Sequence, residues 1–140
     1  MRFWDSSAVV PLLVRQESSA IAERWIAEDP DMVLWTLTSV EVVSAFRRLV
    51  REQALKEDSG RIAERRLDQL VRTCHVVVDV PAVKGQAIRV LRFHQLLAFD
   101  ALQLGAALLW AEGHPEGRTL HTLDVRLGSA AEREGFSVPH

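Results

Sequence analysis

Apolar and polar positions along this chain alternate between short strand-like runs and longer helical stripes, from one end to the other. Residues 2–5 (Arg-Phe-Trp-Asp) read as a strand that begins at once. Residues 7–15 and 18–28 carry helical spacing. Pro11 is expected near the start of the first, where a missing N–H costs least, and Pro30 closes the second. Residues 32–36, rich in Val, Leu and Trp, predict a second strand. Residues 39–52 predict a helix with Val42, Ala45, Phe46 and Leu49 on one face, and 59–73 another with Arg61, Arg65 and Arg72 on its polar side. A strand is expected over 76–80, then a helix opening at Pro81 and running to about His94. Residues 99–112 are apolar nearly all round, as a buried helix would be. After a turn at 113–118 the pattern predicts a short strand at 119–122, a helix at 124–134 ended by Gly135, and a last strand at 136–138.

Strands alternating with helices imply an α/β fold in which a parallel sheet is covered on both faces. The chain of 140 residues, 48% hydrophobic, is one domain spanning 1–140 with enough apolar content for its own core. Cys74 is the only cysteine, which excludes an internal disulfide and a cysteine-rich zinc site. The histidines show no close ligand spacing. The first residues lack the basic stretch and long apolar region of a signal peptide, and residues 104–111 are too few to span a bilayer. A soluble, cytoplasmic protein without a membrane partner is therefore expected. The net charge of −2 supplies no global field for nucleic acid. All but Lys56 and Lys84 of the 17 basic residues are arginine, the better bidentate phosphate ligand, although base composition of a genome would give the same bias.

Four acids stand where chemistry would gather in such a sheet, beyond the carboxyl ends of the strands. Asp5 closes the first strand and Asp124 follows the strand ending at Thr122. Glu41 and Asp100 fall in the first turns of helices. If the first strand is central, all four converge on one edge. No lysine neighbours any of them, and carboxylates brought together repel unless a cation neutralises them. Oxygen-only ligands suit Mg²⁺ or Mn²⁺, which can activate water against a phosphodiester. Each acid also has an ordinary structural reading. Asp5 and Asp124 are candidate N-caps, Thr38-Ser39-Val40-Glu41 has the pattern of a capping box, and Asp100 suits a helix dipole. Asp100 is the least ordinary, because its helix is otherwise apolar.

The segments around these acids form a set. Phe3-Trp4-Asp5-Ser6-Ser7-Ala8 resembles the opening strand of PIN domains, and Thr38-Ser39-Val40-Glu41-Val42 resembles their second motif. Ala98-Phe99-Asp100-Ala101-Leu102-Gln103-Leu104 resembles the third, where family members often have His at the place of Gln103. His121-Thr122-Leu123-Asp124-Val125-Arg126-Leu127, followed by Ala130-Ala131 and Gly135, resembles the fourth. The resemblance covers the whole chain and is specific in combination. It implies a three-layer α/β/α fold with a central parallel sheet of about five strands. It implies a Mg²⁺- or Mn²⁺-dependent endoribonuclease, most often the VapC-like toxin of a type II toxin–antitoxin pair, dimeric and silenced by a small antitoxin. Asp5, Glu41, Asp100 and Asp124 would then be metal ligands or organisers of ligand waters. Thr122 and Ser6 would stand beside the metal as hydroxyl donors. Some members carry a further acid after the fourth; those places hold Arg126 and Leu127 here, so one firmly held ion is expected.

Arg48 lies about two turns beyond Glu41 on the same helical face, a candidate contact for RNA phosphate or a partner for Glu52. The stripe of Arg61, Arg65 and Arg72 reads first as a solvated face, and the tryptophans as core or dimer-interface packing. Two other function classes compete. A receiver-like or phosphohydrolase domain also gathers acids at strand ends, but the haloacid type would want Asp where Ser7 stands, and a receiver would want paired early acids and a late lysine. A non-catalytic PIN-like module that only binds a partner is the other alternative, and the presence of all four acids argues against it.

Overall fold

The computed structural model describes residues 1–140. Its one sheet contains β1 (Arg2–Trp4), β2 (Met32–Trp35), β3 (His75–Val77) and β4 (Leu120–His121), all parallel, in the order β3-β2-β1-β4. The helices between and after them are α1 (Ser6–Leu13), α2 (Ser19–Glu28), α3 (Thr38–Arg51), α4 (Glu57–Val71), α5 (Val80–Leu91), α6 (Ala98–Trp110) and α7 (Val125–Glu134). No helix is long and apolar enough to cross a membrane.

The three layers follow from the two-residue period of the strands. Phe3, Val33, Trp35 and Val77 point to one face and join a core with Val83 of α5, Leu104 of α6 and Leu127 of α7. Trp4, Met32 and Leu34 point to the other and join Val9, Trp25, Phe46 and Leu67 from α1 to α4. β2, buried at every position on both faces, is continuously apolar, whereas β1 and β3 open on the polar residues Arg2 and His75 towards the sheet's amino edge. His121 is fully buried on the second face, stacked on Trp25 at 4.5 Å and tilted against Trp4 at 4.6 Å. Burial, followed by the nearby Arg2 charge, pushes its imidazole down to about 4, so it is neutral at physiological pH.

The sheet has four strands where about five were expected. Residues 136–138 meet it at a single parallel bridge, Thr119 to Ser137. Phe136 and Val138 turn into the core on either side of that bridge. Pro139, which lacks an N–H, follows at once and cannot extend the ladder. Pro11 also departs from expectation. It lies inside α1 rather than near its start, two residues before the helix ends. Its carbonyl oxygen accepts the Ser19 hydroxyl at 2.8 Å, tying the turn into α2.

Two glycines have specific tasks. A Cβ on Gly105 would lie 2.9 Å from both the Ala87 nitrogen and the Val83 oxygen, so α5 and α6 cross with backbones in contact there. Gly135, at φ +110°, ends α7 in the left-handed region, and the Phe136 N–H closes back on the Ala131 carbonyl at 3.0 Å.

Candidate active site

β1 lies between β2 and β4, and the carboxyl ends of β1 and β4 deliver Asp5 and Thr122 side by side. Asp5 is buried, and three donors hold its carboxylate. Oδ1 accepts the Ser7 hydroxyl at 2.6 Å and the Ala8 N–H at 3.2 Å; Oδ2 accepts the Thr122 hydroxyl at 2.9 Å. The N-cap reading of Asp5 is thus realised on one oxygen, while the other belongs to β4. Burial outweighs these hydrogen bonds and raises the carboxyl to about 6. Ser7 is more central than its sequence position suggests, since its Oγ also sits 3.2 Å from Thr122 Oγ1 and accepts the Leu123 N–H at 2.8 Å. The only signal for it in the chain is its place two residues after Asp5.

Glu41 is not part of a capping box. The N-cap of α3 is Leu37 with no side-chain cap, and Thr38 is buried as the first helical residue. Glu41 instead accepts the Ser6 hydroxyl on Oε2 at 3.0 Å and the Gln103 amide on Oε1 at 3.0 Å. Gln103 is itself buried and donates to Thr38 Oγ1 at 3.1 Å, so α6 fixes the Glu41 carboxylate from below. Burial is the largest cause lifting Glu41 to about 7; Asp5 and Asp100 add like-charge repulsion against the lowering bonds from Ser6 and Gln103.

Asp100, in the first turn of α6, is also raised, first by desolvation and then by Asp124, with Arg126 opposing. Asp124 is the N-cap of α7, its Oδ1 accepting the Leu127 N–H at 2.8 Å, and its own N–H donates to Thr122 Oγ1 at 3.0 Å. The mutual charge effects link Asp5 to Glu41, Glu41 to Asp100 and Asp100 to Asp124, so the four acids share one edge. None of them takes part in any of the chain's ion pairs. They form an open acidic rim in which Asp5, Glu41 and Asp124 are held by hydrogen bonds. No three His, Cys, Asp or Glu side chains stand close enough together in this arrangement to hold a metal ion between them. The donor set is nevertheless that of a hard divalent cation: oxygen only, partly desolvated and lacking a basic partner.

A cavity of about 460 Å³ opens on the α3 side of the rim, lined among others by Ser6, Glu41, Ser44, Arg48 and Phe99. Arg48 faces this cavity and has no ion pair with Glu52, in contrast to Arg47, which binds Glu57 and Glu64 at 2.7 and 3.1 Å. Arg61 of the basic stripe is paired with Asp58 and Glu57 on the surface of α4.

No protein-family model matches the chain, and no curated protein matches its sequence. Solved structures do match its fold. FitAcB from Neisseria gonorrhoeae superposes with a TM-score of 0.69 at 16% identity, covering 100% of this chain and 97% of that one. VapC20 from Mycobacterium tuberculosis, a toxin that cleaves the sarcin–ricin loop, gives 0.66 at 17% identity, covering 93% and 95%. A toxin–antitoxin complex from Klebsiella pneumoniae gives 0.64 at 14%, covering 90% and 88%. At these identities the likeness establishes the fold, and the PIN-like architecture implied by the sequence motifs agrees with it.

Proposed function

We propose that this chain is a metal-dependent endoribonuclease, the toxin of a toxin–antitoxin pair. The observation that carries the reading is the acidic rim. Asp5, Glu41 and Asp100 are held where their ionisation is disfavoured, no basic side chain pairs with them or with Asp124, and the fold is shared with a ribosomal-loop-cleaving toxin and a toxin–antitoxin complex. Desolvated acids that form no ion pair cost stability, so stability alone does not account for them.

In this reading Asp5, Glu41, Asp100 and Asp124 hold Mg²⁺ or Mn²⁺. The ion would supply a more acidic water and neutralise charge on the phosphodiester. The chain's own residues set the frame. Ser7 and Thr122 orient Asp5, and Ser6 and Gln103 orient Glu41. Outer partners of this kind fix the direction of liganding carboxylates. No serine or cysteine nucleophile is required, because water attacks phosphorus. Arg48, which lines the neighbouring cavity, would contact the RNA backbone in this reading. The partners that follow are an RNA substrate, a small antitoxin and a second copy of the chain. Exposed Val40, Phe93, Leu97 and Phe99 supply apolar surface for protein partners.

The test offers purified protein, freed of any partner, structured RNA that includes a sarcin–ricin hairpin. Cleavage is followed with Mn²⁺ or Mg²⁺ and again with chelator. Cleavage is expected only with metal, and is expected to disappear in Asp5→Asn and Asp100→Asn. Cleavage that survives the chelator or either substitution would overturn the metal-site reading. Absence of both cleavage and metal binding would favour an inert partner-binding module.

A further inference from the structure

On the α7 side of the acidic rim lies a second cavity, of about 300 Å³, with the opposite charge. Arg126, Ser129, Ala130 and Arg133 line it along one side of α7, at the spacing of i, i+3, i+4 and i+7. His94, Gln95 and Leu96, between α5 and α6, face them across it. Neither arginine forms an ion pair, a state they share with all but Arg2, Arg15, Arg47, Arg61 and Arg89; what sets them apart is that they line one cavity together. No carboxylate lines the cavity. Glu134, the neighbour of Arg133 in sequence, is committed to Arg89 and to His94 Nε2, both at 2.7 Å. Arg126 lies in the first turn of α7, where the helix dipole disfavours a cation, so helix stability does not explain it. It is also within Coulombic range of Asp100, which places the cavity beside the rim.

We propose that Arg126 and Arg133 form a subsite for backbone phosphates of the RNA strand, in the cavity flanking the acidic rim on the α7 side. The ligand class rests on the ribonuclease reading above. Two guanidinium forks free of ion pairs match phosphate geometry. Seven residues of helix separate them by about 10 Å along the axis, enough to meet more than one phosphate of an extended strand. The strand then crosses the acids between Arg48 on the α3 side and Arg126 on the α7 side. These arginines supply locally the positive field that the net charge of −2 does not.

The test measures binding of a fluorescent single-stranded RNA by anisotropy, in chelator, over a series of salt concentrations. It compares the wild type, Arg126→Ala/Arg133→Ala, Arg126→Lys/Arg133→Lys and, as a control, Arg65→Ala/Arg72→Ala. Both subsite arginines are exposed, so unchanged melting temperatures are expected. The alanine pair is expected to bind roughly tenfold more weakly at low salt, and its slope of log K against log salt to flatten by about 1.4, some 0.7 for each lost contact. The lysine pair should keep the slope, and the control should match the wild type. In cleavage assays the alanine pair should raise KM with little change in kcat. A slope unchanged in the alanine pair, or flattened equally in the control, overturns the subsite. Wild-type cleavage together with an untouched slope and KM removes the subsite and leaves the ribonuclease reading standing. Absence of cleavage with the slope still dependent on Arg126 and Arg133 does the reverse.

Discussion

Replacing Asp5 by Asn should make the metal-free protein more stable at mildly alkaline pH and less stable in acid. Asp5 is 2% exposed and its carboxyl is raised from 3.8 to about 6. At 1.36 kcal/mol per pH unit, that rise makes ionisation in the fold cost about 3 kcal/mol. The sign follows from proton linkage. The native state holds the proton more tightly than the unfolded chain, so stability falls as pH rises from about 4 to about 6, and the loss is complete above that. Asn keeps the shape and removes the charge. Its amide cannot accept the Thr122 hydroxyl in place of Oδ2, although that hydroxyl can turn to accept instead, a loss of about 1 kcal/mol. Asp5→Asn is therefore expected to be about 2 kcal/mol more stable than the wild type near pH 8, and about 1 kcal/mol less stable near pH 4. Glu41, raised to about 7, steepens the pH dependence of both proteins in the same direction. Urea unfolding in chelator across this range measures the difference. A difference that does not change with pH, or a wild type that gains on the variant as pH rises, would refute the buried-charge argument.

Other expectations are as direct. Gln103→Leu removes the donor that holds Glu41 and should lower cleavage roughly 10–100-fold, read as kcat on RNA with metal in excess. Gly105→Ala forces a methyl against the α5 backbone and should destabilise the fold by about 1–3 kcal/mol in urea unfolding. Glu134 is depressed by Arg89 and His94 despite its partial burial, so it stabilises the fold above its ordinary pKa and loses that contribution as pH falls; Glu134→Gln should flatten this acid limb.

The sequence made the layered fold and the position of the acids legible because both depend on local pattern. The buried strands are short apolar runs, Asp5 and Asp124 sit at strand ends, and Asp100 is conspicuous in an otherwise apolar helix. What escaped it depends on contacts across the fold. Residues 136–138 look like a strand locally, but Phe136 and Val138 turn to the core beside a single bridge. The apparent capping box at Thr38 gives way because Gln103, distant in sequence, takes the Thr38 hydroxyl and the Glu41 carboxylate. Ser7 gains its place only when β4 brings Thr122 and Leu123 alongside. The helical spacing of Arg126 and Arg133 was present in the sequence, but the cavity between α7 and residues 94–96 was not.

The central claim is that the acidic rim holds a divalent cation, and calorimetric titration of Mn²⁺ into the metal-free protein near pH 7 tests it most directly. The account predicts one firm site per chain. It also predicts heat that varies with the buffer's protonation enthalpy, because Glu41, raised to about 7, is still partly protonated there and releases its proton as the ion binds, while Asp5, at about 6, adds little. Asp5→Asn and Asp100→Asn should each lose the site. No binding by the wild type, or binding that both variants retain, would contradict it.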